Sequence, residues 1–209
     1  MKLYYSAGSC STSCHISLEE SGLKYEAIEV DWDNASDPNL ALVSKLNPMG
    51  TLPIVVLESN RVLSQNIAIH TYIADQATER GLLPKAGTIE RAEAMNWLSF
   101  VASDLHKSFS PLFGVKNFST DPKVQAEFRK WGETGVNQCL GYLDKHLAGR
   151  DYILGKNFSV IDAYCFVVVN WTQWLELSLV PYSNIQGYLK RVSERPAVQK
   201  VLKEEGLLN

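Results

Sequence analysis

The spacing of apolar positions changes character once along this chain. Up to about residue 76, short runs of strand length alternate with helical spacing, and beyond residue 88 only helical spacing persists. Residues 2–5 read as a short strand. They lead through the small-residue loop Ser6-Ala7-Gly8-Ser9-Cys10-Ser11 into a helical pattern carrying Cys14 and Leu18, which Gly22 stops. Residues 25–30 alternate apolar and polar and read as a second strand. Strand, helix and strand within so short a stretch make a βαβ unit, whose strands run parallel.

Residues 31–37 are polar and turn-like, and residues 39–45 predict a short helix. Asn47-Pro48-Met49-Gly50-Thr51-Leu52-Pro53 then introduces the β-branched run Ile54-Val55-Val56-Leu57. The turn Glu58-Ser59-Asn60 and the run Arg61-Val62-Leu63 complete an antiparallel hairpin, after which Ser64 can cap a helix reaching about Gln76. This βαβ-ββα order describes a thioredoxin-like α/β domain over residues 1–80. Polar residues, Gly and Pro at 77–87 read as a linker. Residues 88–209 predict an all-helical (all-α) domain, with long helices over 88–113 and 122–147 and shorter ones near 185–194 and 196–204. Within it Ser159-Val160-Ile161-Asp162 has the form of a capping box, opening a helix that runs to about Trp171.

Composition narrows the function classes. The chain is 45% hydrophobic and 21% charged, with a net charge of −3 and no basic block, which argues against a nucleic-acid partner. Its longest apolar run, residues 163–169, is far short of the ~20 residues a membrane helix needs. The N-terminus lacks a signal-type apolar stretch. The four cysteines have no zinc-type spacing and no need to act as staples, so no metal and a reducing cytoplasm are expected.

Four loci could carry chemistry. Pro53 cannot donate to a sheet ladder, so it belongs at the strand's start or in a special turn. A cis Leu52–Pro53 bond would turn the Leu52 N–H and C=O outward to pair with a peptide-like ligand; an ordinary rigid turn explains the same segment. Cys10 precedes a helix, where free N–H groups and the helix dipole favour a thiolate. Ser9, Ser11 and the same N–H groups could instead bind a ligand's anionic sulfur, and an inert half-buried thiol is the plainer alternative. Gln65 and Asn66 open another helix, a place for a carboxylate or simply a cap. In residues 91–110, Met95, Leu98, Ala102, Leu105 and Phe109 form a core stripe. Asn96, Ser99, Ser103, His106 and Ser110 form a second stripe without the Lys and Glu of a free surface, fit for a cleft wall. His106 there could hydrogen-bond a sulfur or act as a weak base. His15, His70 and His146 read as structural.

Together these residues resemble a bacterial glutathione transferase of the beta class. The resemblance spans nearly the whole chain: Tyr4-Tyr5 through Cys10-Ser11, the loop from Asn47 to Pro53, Ser64-Gln65-Asn66-Ile67-Ala68-Ile69, Leu105-His106-Lys107, and Phe158 to Tyr164. It implies that Pro53 is the cis proline and that the Leu52 backbone holds the cysteinyl part of glutathione. Gln65 and Asn66 would bind the γ-glutamyl carboxylate. Cys10 and His106 would lie at the sulfur with Ser11 assisting, and Tyr5, Thr51, Ser99 and Ser103 would complete the glutathione contacts. It further implies a hydrophobic second-substrate site lined by Tyr5 and the long helices, and a homodimer whose partner chain completes the glutathione site. Glutathione is then a co-substrate and no cofactor is required. Three departures bear on affinity: Asn66 stands where Ser is common, Asn34-Ala35 where a lysine often occurs, and Ser99 where an asparagine is common. The reaction expected is attack of the glutathione thiolate on a hydrophobic electrophile. A mixed disulfide on Cys10 would instead give disulfide-reductase or peroxidase activity, and a rival from another class is a non-catalytic glutathione-binding carrier.

Overall fold

The computed structural model describes residues 1–32 and 34–208; Asp33, in the turn expected over 31–37, lies outside them. β1 (Lys2–Tyr5), β2 (Glu26–Glu29), β3 (Ile54–Val56) and β4 (Val62–Ser64) form one sheet in the order β2-β1-β3-β4. β1 runs parallel to β2, with Leu3 opposite Ala27, and antiparallel to β3, where Leu3 faces Val55. β3 and β4 form the expected hairpin, Val55 opposite Leu63.

Side-chain alternation decides which helix covers which face. Leu3, Tyr5 and Val55 point to one side and pack with Cys14 and Leu18 of α1 (Ser11–Ser21) and with Ile69 and Ile73 of α3 (Asn66–Gln76). Tyr4 and Ile54 point to the other side, against Val43 of α2 (Pro38–Leu46). Gly22 ends α1 in the left-handed conformation, φ 69°, where a side chain would be strained. The thioredoxin-like half thus has the predicted architecture.

The second half is helical throughout: α4 (Ile89–Ser99), α5 (His106–Ser108), α6 (Ser110–Phe118), α7 (Pro122–Leu147), α8 (Val160–Trp174), α9 (Ser183–Ser193) and α10 (Pro196–Glu204). α8 is its axis, with residues 160–169 all buried. The core stripe read within residues 91–110 is present: Leu98, Leu105 and Phe109 are fully buried, and Met95 and Ala102 pack against the same core. α1 lies on α8 and α10, and its Ile16 joins the helical core, so the two halves share packing. Among the described residues no helix is long and apolar enough to cross a membrane.

Three local expectations are corrected. Residues 88–113 are not one α-helix: residues 100–105 form a π-helical turn, and α6 restarts just before Pro111, which cannot supply a helical N–H. Residues 77–87 are not merely a polar connection, because Leu82 and Leu83 are buried in the helical core and the Val160 N–H donates to the Leu82 carbonyl. Ser64 does not cap α3; it pairs with Ile54 as the last residue of β4, and Gln65 takes the cap position.

Candidate active site

Cys10 occupies the position before α1, where the chain turns out of the Gly8 loop. Its Sγ lies 3.8 Å from the Leu52 carbonyl, so the two N-terminal loops meet there. The Leu52–Pro53 peptide is cis, and Pro53 is buried. Asn47, not singled out from the sequence, holds this second loop. Its Nδ2 donates to the Thr51 carbonyl at 2.8 Å and Thr51 Oγ1 at 3.0 Å, while its Oδ1 accepts from the Met49 N–H at 3.1 Å. Thr51 itself is exposed.

Of the readings left open for Cys10, the free chain favours the half-buried, un-ionised thiol over the acidic one. Burial pushes the Cys10 thiol up, outweighing the Asn66 side chain, the Cys10 N–H and the charge of Lys107, which all pull it down. Cys14 is fully buried one turn on, with its S–H donating to Asn66 Oδ1 at 3.2 Å.

Asn66 therefore points inward, between α1, α3 and α8. It accepts from Cys14 and, at 3.4 Å, from the Ser13 hydroxyl, and its side chain also hydrogen-bonds toward Cys10 and Tyr164. That geometry replaces the expected side-chain contact to a carboxylate; the start of α3 and the exposed Gln65 are what face outward. Gln65 sits at φ 74°, ψ 124°, a conformation a non-glycine residue adopts only at a cost of about 1–3 kcal/mol, and one that clusters at ligand sites. Ser11 also differs from expectation. It is fully buried, its hydroxyl donates to the Ser6 carbonyl at 3.2 Å, accepts from the Ser6 N–H at 2.9 Å and meets Ser9 Oγ at 2.6 Å. It holds the loop rather than facing a sulfur.

From the helical half comes His106, immediately after the π-helical turn. Its Nδ1 shares a 2.7 Å hydrogen bond with the hydroxyl of Tyr164 on α8. Burial, helped by the charge of Lys107, lowers His106 to about 4, so the ring is neutral near pH 7. Tyr164 is pushed well above the usual phenol range by burial and by the neighbouring Cys10 and Cys14, and stays a hydroxyl. Tyr164 thus links His106 to the Asn66–Cys10 cluster, a role no local pattern flagged. Ser99 and Ser103 are exposed on the outer face of this helical column; the Ser103 hydroxyl is turned onto the Ser99 carbonyl and Asp104.

Tyr5 is not part of this group. Alternation along β1 sends its ring against His15, 5.1 Å between centroids, toward a cleft beside α10. His15 and His70 are buried as structural groups, the latter between Ser13 and Ser17 at 3.0 and 2.9 Å.

A clamp from the C-terminal segment fixes the Cys10 loop. The Gly8 N–H donates to Glu205 Oε2 at 3.1 Å, and the Gly8 carbonyl accepts from the Trp171 indole at 2.9 Å. Gly8 has φ 72°, and a β-carbon there would stand 2.2 Å from the Trp174 ring, so a side chain would be strained and would have to displace that ring. Around this loop the rings of Trp171, Phe109 and Phe113 pack edge to face at 5.4–5.7 Å, with Phe113 50% and Trp174 57% exposed. The result is an apolar wall next to His106, whose ring lies 4.8 Å from Trp171.

A cis-proline loop, a helix start with a cysteine and a second helix start thus meet an imidazole and an aromatic wall from a helical half, on a thioredoxin-like scaffold. Residues 7–76 match the model of the glutathione S-transferase N-terminal domain, and residues 103–205 that of the C-terminal domain. The chain is 33% identical to glutathione S-transferase GstA of Escherichia coli O157:H7, over 99% of this chain and all of that protein. A sphingomonad glutathione S-transferase solved in complex with glutathione superposes with a TM-score of 0.85 at 36% identity, covering both chains fully. The beta-class glutathione S-transferase of Sphingomonas chungbukensis does so with a TM-score of 0.88, also at 36% identity and full coverage of both. The chain belongs to the glutathione S-transferases, in their bacterial beta class.

Proposed function

We propose that this transferase binds glutathione across the Cys10, Leu52 and Gln65 loci and adds its sulfur to hydrophobic electrophiles held against the Phe113–Trp171–Trp174 wall. The carrying observation is the convergence of Cys10 and Leu52 from one half with the His106–Tyr164 pair from the other. On this reading the Leu52 backbone pairs with the cysteinyl peptide and the helix start at Gln65 takes the γ-glutamyl carboxylate. On the same reading the exposed Thr51, Ser99 and Ser103 add contacts at the site's rim. Tyr164, kept protonated, donates to His106 Nδ1, so the neutral ring keeps its proton on Nε2 and can donate it to a sulfur anion. The glutathione thiol loses its proton to solvent, and the thiolate forms the new C–S bond as the electrophile's leaving group departs with its electron pair.

The raised Cys10 thiol favours Cys10 as a hydrogen-bond donor to that thiolate over Cys10 as the nucleophile of a mixed disulfide. Four free cysteines suit a reducing compartment such as the cytoplasm. A homodimer across the face carrying Ser99 and Ser103 belongs to the same proposal, as does a two-domain division at 77–87. The test measures glutathione conjugation to a chlorinated nitrobenzene, and reduction of a hydroxyethyl mixed disulfide, for the wild type, Cys10→Ala and His106→Ala. Conjugation is expected to survive Cys10→Ala and to fall at least tenfold in His106→Ala. Loss of only disulfide reduction in Cys10→Ala would assign that cysteine to redox work. Binding to immobilised glutathione without turnover of either substrate would make the protein a carrier.

A further inference from the structure

Asn66 opens α3 where that helix packs on both α1 and α8, and its side chain is buried. Three groups that carry a thiol or hydroxyl surround its amide: Cys10 just before α1, Cys14 within it, and Tyr164 on α8. The two ends of the amide differ in what they meet. Oδ1 takes the S–H of Cys14 at 3.2 Å and has the Ser13 hydroxyl at 3.4 Å, both of them donors. Nδ2 therefore faces the other way, and the remaining hydrogen bonds of the side chain run to Cys10 and Tyr164. An amide nitrogen carries two N–H groups and accepts nothing, so one hydrogen is available to each neighbour. The influence of Asn66 on both has the sign of a donor. Burial raises the Cys10 thiol and the Tyr164 phenol, and the Asn66 amide pulls each back down.

Resting on the conjugation reading above, we propose that Asn66 is a positioning residue whose amide anchors two hydrogen-bond chains that converge on the glutathione sulfur, one through Cys10 and one through Tyr164 and His106. In the first chain an Nδ2 hydrogen is donated to Cys10 Sγ, which occupies an acceptor position on that sulfur and leaves its S–H to donate onward. In the free chain that S–H has the Leu52 carbonyl at 3.8 Å, a long contact that is readily given up to a ligand's sulfur anion. In the second chain the other Nδ2 hydrogen goes to the Tyr164 oxygen. The Tyr164 hydroxyl donates to His106 Nδ1 at 2.7 Å, and Nε2–H of the neutral ring is left for the sulfur. Every link runs from donor to acceptor in one direction, so a single amide polarises both chains toward the same anion. The serine that the beta-class resemblance puts at this position is too short to reach from α3 to both α1 and α8. Asn66 itself touches no reacting atom. The carboxylate site at the start of α3 relies on backbone N–H groups, which a change of this side chain leaves in place.

The test compares the full-length wild type with Asn66→Ser and Asn66→Asp. The first removes the amide without adding charge; the second keeps its outline and an acceptor for Cys14 but loses the two N–H donors. The conjugation kcat is expected to fall by about fivefold or more in both, with the KM for glutathione within about twofold of the wild type. Asn66→Ser and Tyr164→Phe act on a shared chain, so the loss in the double variant should be smaller than the product of the single losses by about threefold or more. A further readout needs no glutathione. The pH midpoint for alkylation of Cys10 by iodoacetamide, followed on the Cys10 peptide by mass spectrometry, should rise by about half a unit or more in Asn66→Ser. A wild type that conjugates nothing counts against the proposed function; an unmoved Cys10 midpoint counts against Asn66 whatever the wild type does. A wild-type kcat in Asn66→Asp would put the amide oxygen, not the nitrogen, against Cys10 and Tyr164, and losses that simply multiply would leave Asn66 a packing residue. Each of the last three results overturns the proposal.

Discussion

At the scale of single residues, the site depends on side chains whose local sequence context says little about them. Tyr164 lies mid-helix in an apolar run, where an aromatic residue reads as core. Its hydroxyl nevertheless meets His106 Nδ1 at 2.7 Å and sits beside Cys10, Cys14 and Asn66. Tyr164→Phe keeps the ring and removes only this bond. Losing one buried hydrogen bond of about 1–1.5 kcal/mol corresponds to roughly a tenfold loss in rate. The conjugation kcat is expected to fall about tenfold with little change in the KM for glutathione, which steady-state kinetics checks. An unchanged kcat would show that the His106 tautomer is set by something else. Gln65 carries its information in the backbone: a positive φ at a non-glycine residue is invisible in the sequence and plain in the fold.

At the scale of elements, the capping box of α8 was legible because it is local. Asp162 Oδ2 accepts from the Ser159 N–H at 2.8 Å and from its hydroxyl at 2.7 Å. The other oxygen accepts from the Ile153 N–H at 2.8 Å, tying the preceding loop to the helix that forms the core axis. Asp162→Ala strands these donors in a buried place, at a cost of about 2 kcal/mol or more. Urea denaturation should show the midpoint lowered with the m-value unchanged. The π-helical turn was not legible. A single extra residue in a helical run leaves the apolar spacing almost intact, so nothing in the sequence shows that the backbone just before His106 is π-helical and not α-helical.

At the scale of the whole molecule, stability depends on buried groups in both halves that titrate. His70 and His106 are buried without charge, lowered by burial to about 3 and about 4 against 6.5 in the unfolded chain. Below pH 6.5 the unfolded chain binds protons at both that the native chain refuses, so their effect is to lower stability as pH falls towards 4. Asp162 opposes them. Burial holds it up at about 6 against 3.8 unfolded, so between those values the native chain binds the extra proton. Two histidines against one carboxyl leave a net uptake of roughly one proton on unfolding near pH 5. The Tm is therefore expected to drop by about 5 °C or more between pH 7 and pH 5. Scanning calorimetry across that range checks it, and a Tm that rises on acidification would reverse the assignment.

The sequence by itself determined what depends on near neighbours along the chain. That includes the strand and helix order of the first half and the all-helical character of the second, the glycine stop at Gly22, the capping box at Ser159 and Asp162, and the core stripe through Leu98, Leu105 and Phe109. Those follow from periodicity, caps and turn chemistry, all read within a few residues. Only the tertiary structure decided which way the polar side chains face. It turned Ser11 and Asn66 inward, set Tyr5 against His15, raised the Cys10 thiol that a helix start alone would lower, and brought Glu205 back onto Gly8. The reason is physical: burial and long-range hydrogen bonding depend on what the fold packs alongside a residue, and that neighbour lies up to 197 positions away along the chain.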